Sequence, residues 1–152
     1  MSNQKHENIM KLALIEARKA YDANEVPVGA IITIGDEIIS TGYNQSIRSN
    51  DPTCHAEIVS IRKASNKIGN YRLIDTTLYT TLEPCAMCFG AIVHARISRL
   101  VFGAYDPKTG VCSSSSNLHE QACFNHTPQI TGGVLEEECS LILKDFFKER
   151  RN

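Results

Sequence analysis

Apolar residues recur at two different periods along this chain, and the alternation between the two lays out its elements. Met10, Ala13, Leu14, Ala17 and Tyr21 repeat at helical spacing, which predicts an amphipathic first helix. Val28 to Ile34 and Glu37 to Tyr43 read instead as two strands, joined at Gly35-Asp36 by a tight hairpin turn. A second helix is expected from about Thr53 to Lys67, a short β-rich run from Thr77 to Thr81, a third helix from about Cys85 to Ala95 and a fourth strand from Arg99 to Gly103. Ala104 to Pro128 is a long polar connection containing Ser113 to Ser116. A connection of that length inside a compact domain is usually disordered or functional. It leads to a short edge strand near Gln129 to Thr131. The last helix, roughly Val134 to Lys148, presents Leu135, Cys139, Ile142 and Phe146 on one face. Strand and helix therefore alternate, which argues for an α/β fold whose central sheet carries helices on both faces.

Length and charge narrow the picture. At 152 residues the chain fits one domain with a core of ordinary size, and neither repeat nor linker divides it. The formal net charge is −1, so composition lacks the basic excess that marks many nucleic-acid binders, and any RNA surface must be a local patch. Six cysteines raise the question of disulfides. Met1 to Met10 is polar, however, and no apolar run approaches membrane-spanning length. A reduced, cytoplasmic setting without a membrane fits best.

Two of those cysteines belong to the densest chemistry in the chain. His55-Ala56-Glu57 is followed by Pro84-Cys85-Ala86-Met87-Cys88. One His and two Cys make three soft ligands for a zinc ion, and a catalytic zinc keeps three protein ligands so that a water can take the fourth position. Glu57 is then spare. A carboxylate two residues from a ligand is placed to take a proton from that water and pass it on. Each ligand segment opens with an acidic residue and a proline, Asp51-Pro52 and Glu83-Pro84, and proline favours the first position of a helix. Both ligand groups are thus expected at helix N-termini, where the dipole and free amides favour thiolate over thiol. On an ideal helix of ~3.6 residues per turn His55 and Glu57 lie about 200° apart, so they can converge only in the first turn. The plainer reading of the same residues is a structural zinc site or a core thiol pair. No second Cys-x-x-Cys or closely spaced His pair exists to close such a site, and a redox pair leaves His-x-Glu without a role. Cys54, Cys112, Cys123 and Cys139 read as bystanders, Cys54 being the one that adjoins His55.

His-x-Glu followed by Pro-Cys-x-x-Cys is the signature of zinc-dependent nucleobase deaminases. The flanking segments narrow the likeness. Asp51 to Glu57, Tyr71-Arg72-Leu73-Ile74-Asp75 and Leu78 to Cys85 resemble the bacterial tRNA adenosine deaminases, and so do Gly90 to Arg96, Val101 to Ala104, Asp106 to Gly110, Asn125-His126 and Asp145 to Phe147. The resemblance implies a three-layer α/β/α deaminase fold around a mixed five-stranded sheet. It implies hydrolysis of adenosine to inosine at the wobble position of a tRNA anticodon, with an arginine tRNA bearing an ACG anticodon as the expected partner. One Zn2+ per chain would be held by His55, Cys85 and Cys88, with Glu57 as proton shuttle. By the same likeness Asn44 would help hold the flipped base, Val28 and Ala56 would line its pocket, and Asp106 would lie beside the sugar-phosphate backbone. Phe146, Phe147 and Arg150 would lie near the anticodon loop, and the chain would form a homodimer. Tyr43, Cys54 and Tyr105 stand where the family commonly has Trp, Ala and a basic residue, and the segment from Cys112 to Phe124 matches poorly. The family often carries a longer basic tail where this chain has Arg150-Arg151-Asn152, so weaker attraction to RNA is expected. Two other readings share parts of these residues: a free-base or mononucleotide deaminase, and a non-catalytic zinc-stabilised RNA-binding subunit.

Overall fold

The computed structural model describes residues 3–121 and 123–151. Met1 and Ser2 of the polar N-terminal stretch, Ala122 of the long connection and the final Asn152 lie outside them. The chain runs α1 (Asn3–Asp22), β1 (Gly29–Ile34), β2 (Glu37–Tyr43), α2 (Ala56–Ile68), β3 (Thr76–Leu82), α3 (Ala86–His94), β4 (Arg99–Ala104), β5 (Gln129–Thr131) and α4 (Glu136–Arg150). The long connection between β4 and β5 contains one short 3₁₀ turn at Leu118–Glu120.

The five strands form one mixed sheet in the order β2-β1-β3-β4-β5. β1 pairs antiparallel with both β2 and β3, while β3, β4 and β5 run parallel. Side chains alternate across this sheet as the pleat requires. Ala30, Ile32, Leu78, Leu100 and Phe102 join the core beneath α2 and α3. Their neighbours Ile31, Tyr79 and Val101 point the other way, into a second core with Met10 and Ala13 of α1 and Cys139 of α4. The strands buried on both faces thus read as near-continuous apolar runs. Gly29 lets α1 come close, because a Cβ there would lie 2.0 Å from the carbonyl oxygen of Ala13.

The topology gathers one edge of the sheet. β1 starts where its antiparallel partners β2 and β3 end, and parallel β4 ends beside β3: Gly29 pairs with Tyr43, and Leu82 with Ala104. Val28, Asn44, Glu83 and Asp106 therefore emerge at one rim. Ligand sites of open α/β sheets form outside the carboxyl ends of strands, and this rim has that position for β2, β3 and β4.

Candidate active site

The two helices that reach this rim start later than helical periodicity and the motifs suggest: α2 at Ala56 rather than about Thr53, and α3 at Ala86 rather than about Cys85. His55 is not inside α2 but caps it, with extended backbone angles of φ −74° and ψ 158°, and Cys85 caps α3 in the same way. The prolines do not hold the first helical positions either, since Pro84 precedes the cap and Pro52 lies in the turn before it. The extended cap resolves the angular conflict between His55 and Glu57, because only Glu57 follows helical geometry. Neither cap side chain bonds the first turn of its helix. Asn44 does so for α2 from the end of β2: its Oδ1 accepts the Ala56 N–H at 2.8 Å.

Three ligand atoms converge here. The His55 Nδ1 lies 3.4 Å from the Cys88 Sγ and 3.7 Å from the Cys85 Sγ, and all three atoms lie within 4.8 Å of one another. One imidazole and two thiols with that spacing fit a zinc ion that keeps an open coordination position. The Cys85 thiol is brought down to about 4, chiefly by the hydrogen bond it accepts from Cys88 and then by His55. Cys88 is pushed the other way by donating that bond and by burial. The bond to Cys85 raises His55 above its ordinary value. With a metal held there, Cys85 and Cys88 would both be thiolates, since a coordinating thiol is deprotonated outright.

Glu57 is 4% exposed, and burial pushes its carboxyl up to about 6. A carboxyl in that range can both accept and return a proton near neutral pH. It faces a cavity of about 180 Å3 lined by Val26, Val28, Asn44, His55, Leu82, Glu83, Cys85, Asp106 and Thr109.

The cavity brings together His55, Glu57, Cys85, Val28, Asn44 and Asp106, as the sequence suggests. Cys88 sits behind it, fully buried. Ala56 is buried and outside the lining; it reaches the site only through its N–H bond to Asn44. Phe146 and Arg150 do not border the cavity. Phe146 is 3% exposed and packs edge-on against Tyr21 at 5.5 Å. Arg150 lies over its ring at 3.5 Å and donates to Asn24 Oδ1 at 2.7 Å. Phe147 lines a neighbouring groove that shares Val26, Leu82, Asp106 and Thr109 with the cavity. The Asp106 carboxylate is engaged within its own turn, accepting from the Lys108 N–H, the Thr109 N–H and the Thr109 hydroxyl. Val26, Leu82, Glu83 and Thr109 are lining residues that motif reading passes over; for Thr109 the Asp-Pro-Lys-Thr-Gly turn was the available signal.

Residues 3–104 match the sequence model of the cytidine and deoxycytidylate deaminase zinc-binding region. The tRNA-specific adenosine deaminase of Haemophilus influenzae is 51% identical over 147 residues, covering 95% of this chain and 84% of that protein. The chain belongs to the tRNA-specific adenosine deaminases. Within this family the enzyme of Bacillus subtilis is 45% identical over 142 residues, covering 93% of this chain and 88% of its own. A structure from a study of A-to-I editing by tRNA:A34 deaminases at the wobble position superposes with a TM-score of 0.87 at 44% identity, covering 88% of this chain and 97% of the other. Guanine deaminase from Bacillus subtilis superposes with a TM-score of 0.65 at 32% identity, over 97% and 94% of the two chains. The adenosine-deaminase family thus shares its fold with enzymes acting on a free base.

Proposed function

We propose that this chain is a single zinc-dependent domain that deaminates adenosine to inosine at the wobble position of a tRNA anticodon, with one zinc ion held by His55, Cys85 and Cys88. The observation that carries the reading is the buried carboxyl of Glu57, facing the same cavity as the converging ligand atoms. Bound zinc supplies a Lewis acid that makes water a competent nucleophile near neutral pH. Glu57 accepts the proton that the water gives up as it adds to C6 of adenine, and protonates N1. It then takes the proton of the new C6 hydroxyl and delivers it to the exocyclic amine, which departs as ammonia and leaves hypoxanthine. Asn44, its Oδ1 fixed by Ala56, presents its amide NH2 to the base, and Val28 packs against the ring. Asp106 and Thr109 border the ribose, and Phe147 offers an aromatic face to a neighbouring base. An unpaired anticodon loop suits this cavity because extruding a base from it costs less than from a duplex.

The test is direct. Purified protein is incubated with an arginine tRNA bearing an ACG anticodon, and inosine is read by sequencing as an A-to-G change. Glu57→Gln is expected to hold close to one zinc per chain and form no inosine, whereas Cys85→Ala and Cys88→Ala lose the metal. Rapid release of ammonia from free guanine, cytosine or adenine, with no inosine in any tRNA, would overturn the substrate assignment. A homodimer in a cytoplasmic setting completes the reading, and the exposed Tyr71, Ile74 and Met87 near α3 and the α2–β3 connection support the dimer. Light scattering should give twice the mass of one chain.

A further inference from the structure

Glu83 carries a feature that the chemistry above does not use. Its side chain is 2% exposed, yet among the described residues no Lys, Arg or His forms an ion pair with it. A buried carboxylate needs compensation from hydrogen bonds, and here they come from one segment. Oε1 accepts the N–H of Asp106 at 3.0 Å and the hydroxyl of Ser114. Oε2 accepts the N–H groups of Cys112, Ser113 and Ser114 at 2.9, 2.9 and 3.1 Å. Converging backbone N–H groups of this kind make an anion-binding nest, and in this chain the anion is internal.

The segment so gathered forms one side of the cavity. Asp106 and Thr109 line it, and the turn between them closes through the Asp106 carboxylate and a Gly110 N–H bond to the Asp106 carbonyl at 2.9 Å. The Val111 N–H donates to the Pro84 carbonyl at 3.1 Å, so the loop is tied at two adjacent points to the residues that lead into α3. Gly110 packs against the carboxylate so closely that a Cβ there would lie 2.4 Å from the Glu83 Cδ. We infer that Glu83 is a positioning residue: it fixes the 106–114 segment, and through Asp106 and Thr109 it sets how well the target nucleoside is held. The inference rests on the cavity being the substrate pocket. Glu83 takes no part in proton transfer.

Gln has the same shape as Glu, but its NH2 would face the N–H donors that now point at a carboxylate oxygen. In zinc-loaded Glu83→Gln, the amides of Cys112, Ser113 and Ser114 are expected to exchange hydrogen at least about tenfold faster than in the wild type. KM for the anticodon stem-loop is expected to rise about tenfold with kcat within about threefold, the pattern of lost uniform binding. Gly110→Ala should shift KM in the same direction, and the double variant should be no worse than the stronger single one, because both act through one contact. Ser114→Ala removes one of five donors and should raise KM less. Unchanged exchange and KM in Glu83→Gln overturn the inference, as does a fall in kcat with KM intact. If Glu83→Gln does not accumulate as folded protein, Ser114→Ala decides by the same two readouts. A wild type that makes no inosine defeats the proposed function, while the exchange measurement still tests the positioning role.

Discussion

Asn44 has two ends with separate duties. Its Oδ1 caps the first amide of α2 and its NH2 is left for the cavity. Asn44→Asp keeps the acceptor and adds charge where negative charge suits a helix N-terminus, but removes the donor. It is expected to match the wild type in melting temperature and zinc content and to lose most deamination. Asn44→Ala should lose activity and also about 1 kcal/mol of stability, the usual cost of a missing cap. If Asn44→Asp kept full activity, the amide would not be reading the base. Seen residue by residue, the convergence of His55, Cys85 and Cys88 beside Glu57 was legible because three soft donors and a spare carboxylate occur at spacings that few other chemistries need. Glu83 was legible only as the acidic residue before Pro84. Its partners are backbone amides 23 to 31 residues downstream, and an amide leaves no mark in a sequence. For Phe146 the periodicity pointed to the core and the resemblance to the anticodon; the packing against Tyr21 and Arg150 follows the periodicity.

At the scale of elements, α1 meets the sheet through an apolar face and one buried polar pair. His6 Nδ1 lies 2.9 Å from the Tyr79 hydroxyl on β3, with both residues buried. Burial, with Lys5 and Arg99 nearby, lowers the His6 imidazole below its ordinary value near 6.5. The unfolded chain therefore binds this proton more readily than the folded one. The stability tied to neutral His6 is complete above about pH 6.5 and is lost as pH falls through the folded value. His6→Gln cannot titrate, so it should be less stable than the wild type near pH 7 and close part of that gap near pH 5. A melting-temperature difference that stayed constant across this range would remove His6 as the source. The elements themselves were readable because each strand or helix carries its own period. Their ends were less so: the caps of α2 and α3 are His55 and Cys85 rather than the hydroxyl or amide residues that usually announce a helix start. β5 is three residues long, and pairing with β4 makes it a strand.

For the molecule as a whole, a net charge of −1 means that attraction to RNA must come from where the cations sit. Lys108, Lys144 and Arg151 surround a groove with Leu143 and the half-exposed Phe147. A second lining of the same region, through Asp106 and Thr109, carries that groove into the cavity. Arg150 is differently placed, because its guanidinium lies on Phe146 and bonds Asn24 and the Phe146 carbonyl, tying α4 to the end of α1. The family likeness treats Arg150 as an RNA neighbour, and the packing separates it from Lys108. Each phosphate contact to a single strand adds about 0.7 to the slope of log affinity against log salt. Lys108→Ala should therefore weaken binding of an anticodon stem-loop and flatten that slope by about 0.7. Arg150→Ala should leave the slope unchanged and lower stability by roughly 1 kcal/mol through the lost cation–π and hydrogen-bond contacts. Fluorescence anisotropy across a potassium chloride series, paired with thermal melts of each variant, distinguishes the two residues. A slope that followed Arg150 and ignored Lys108 would move the phosphate track to the junction of α1 and α4, away from the groove that opens into the cavity.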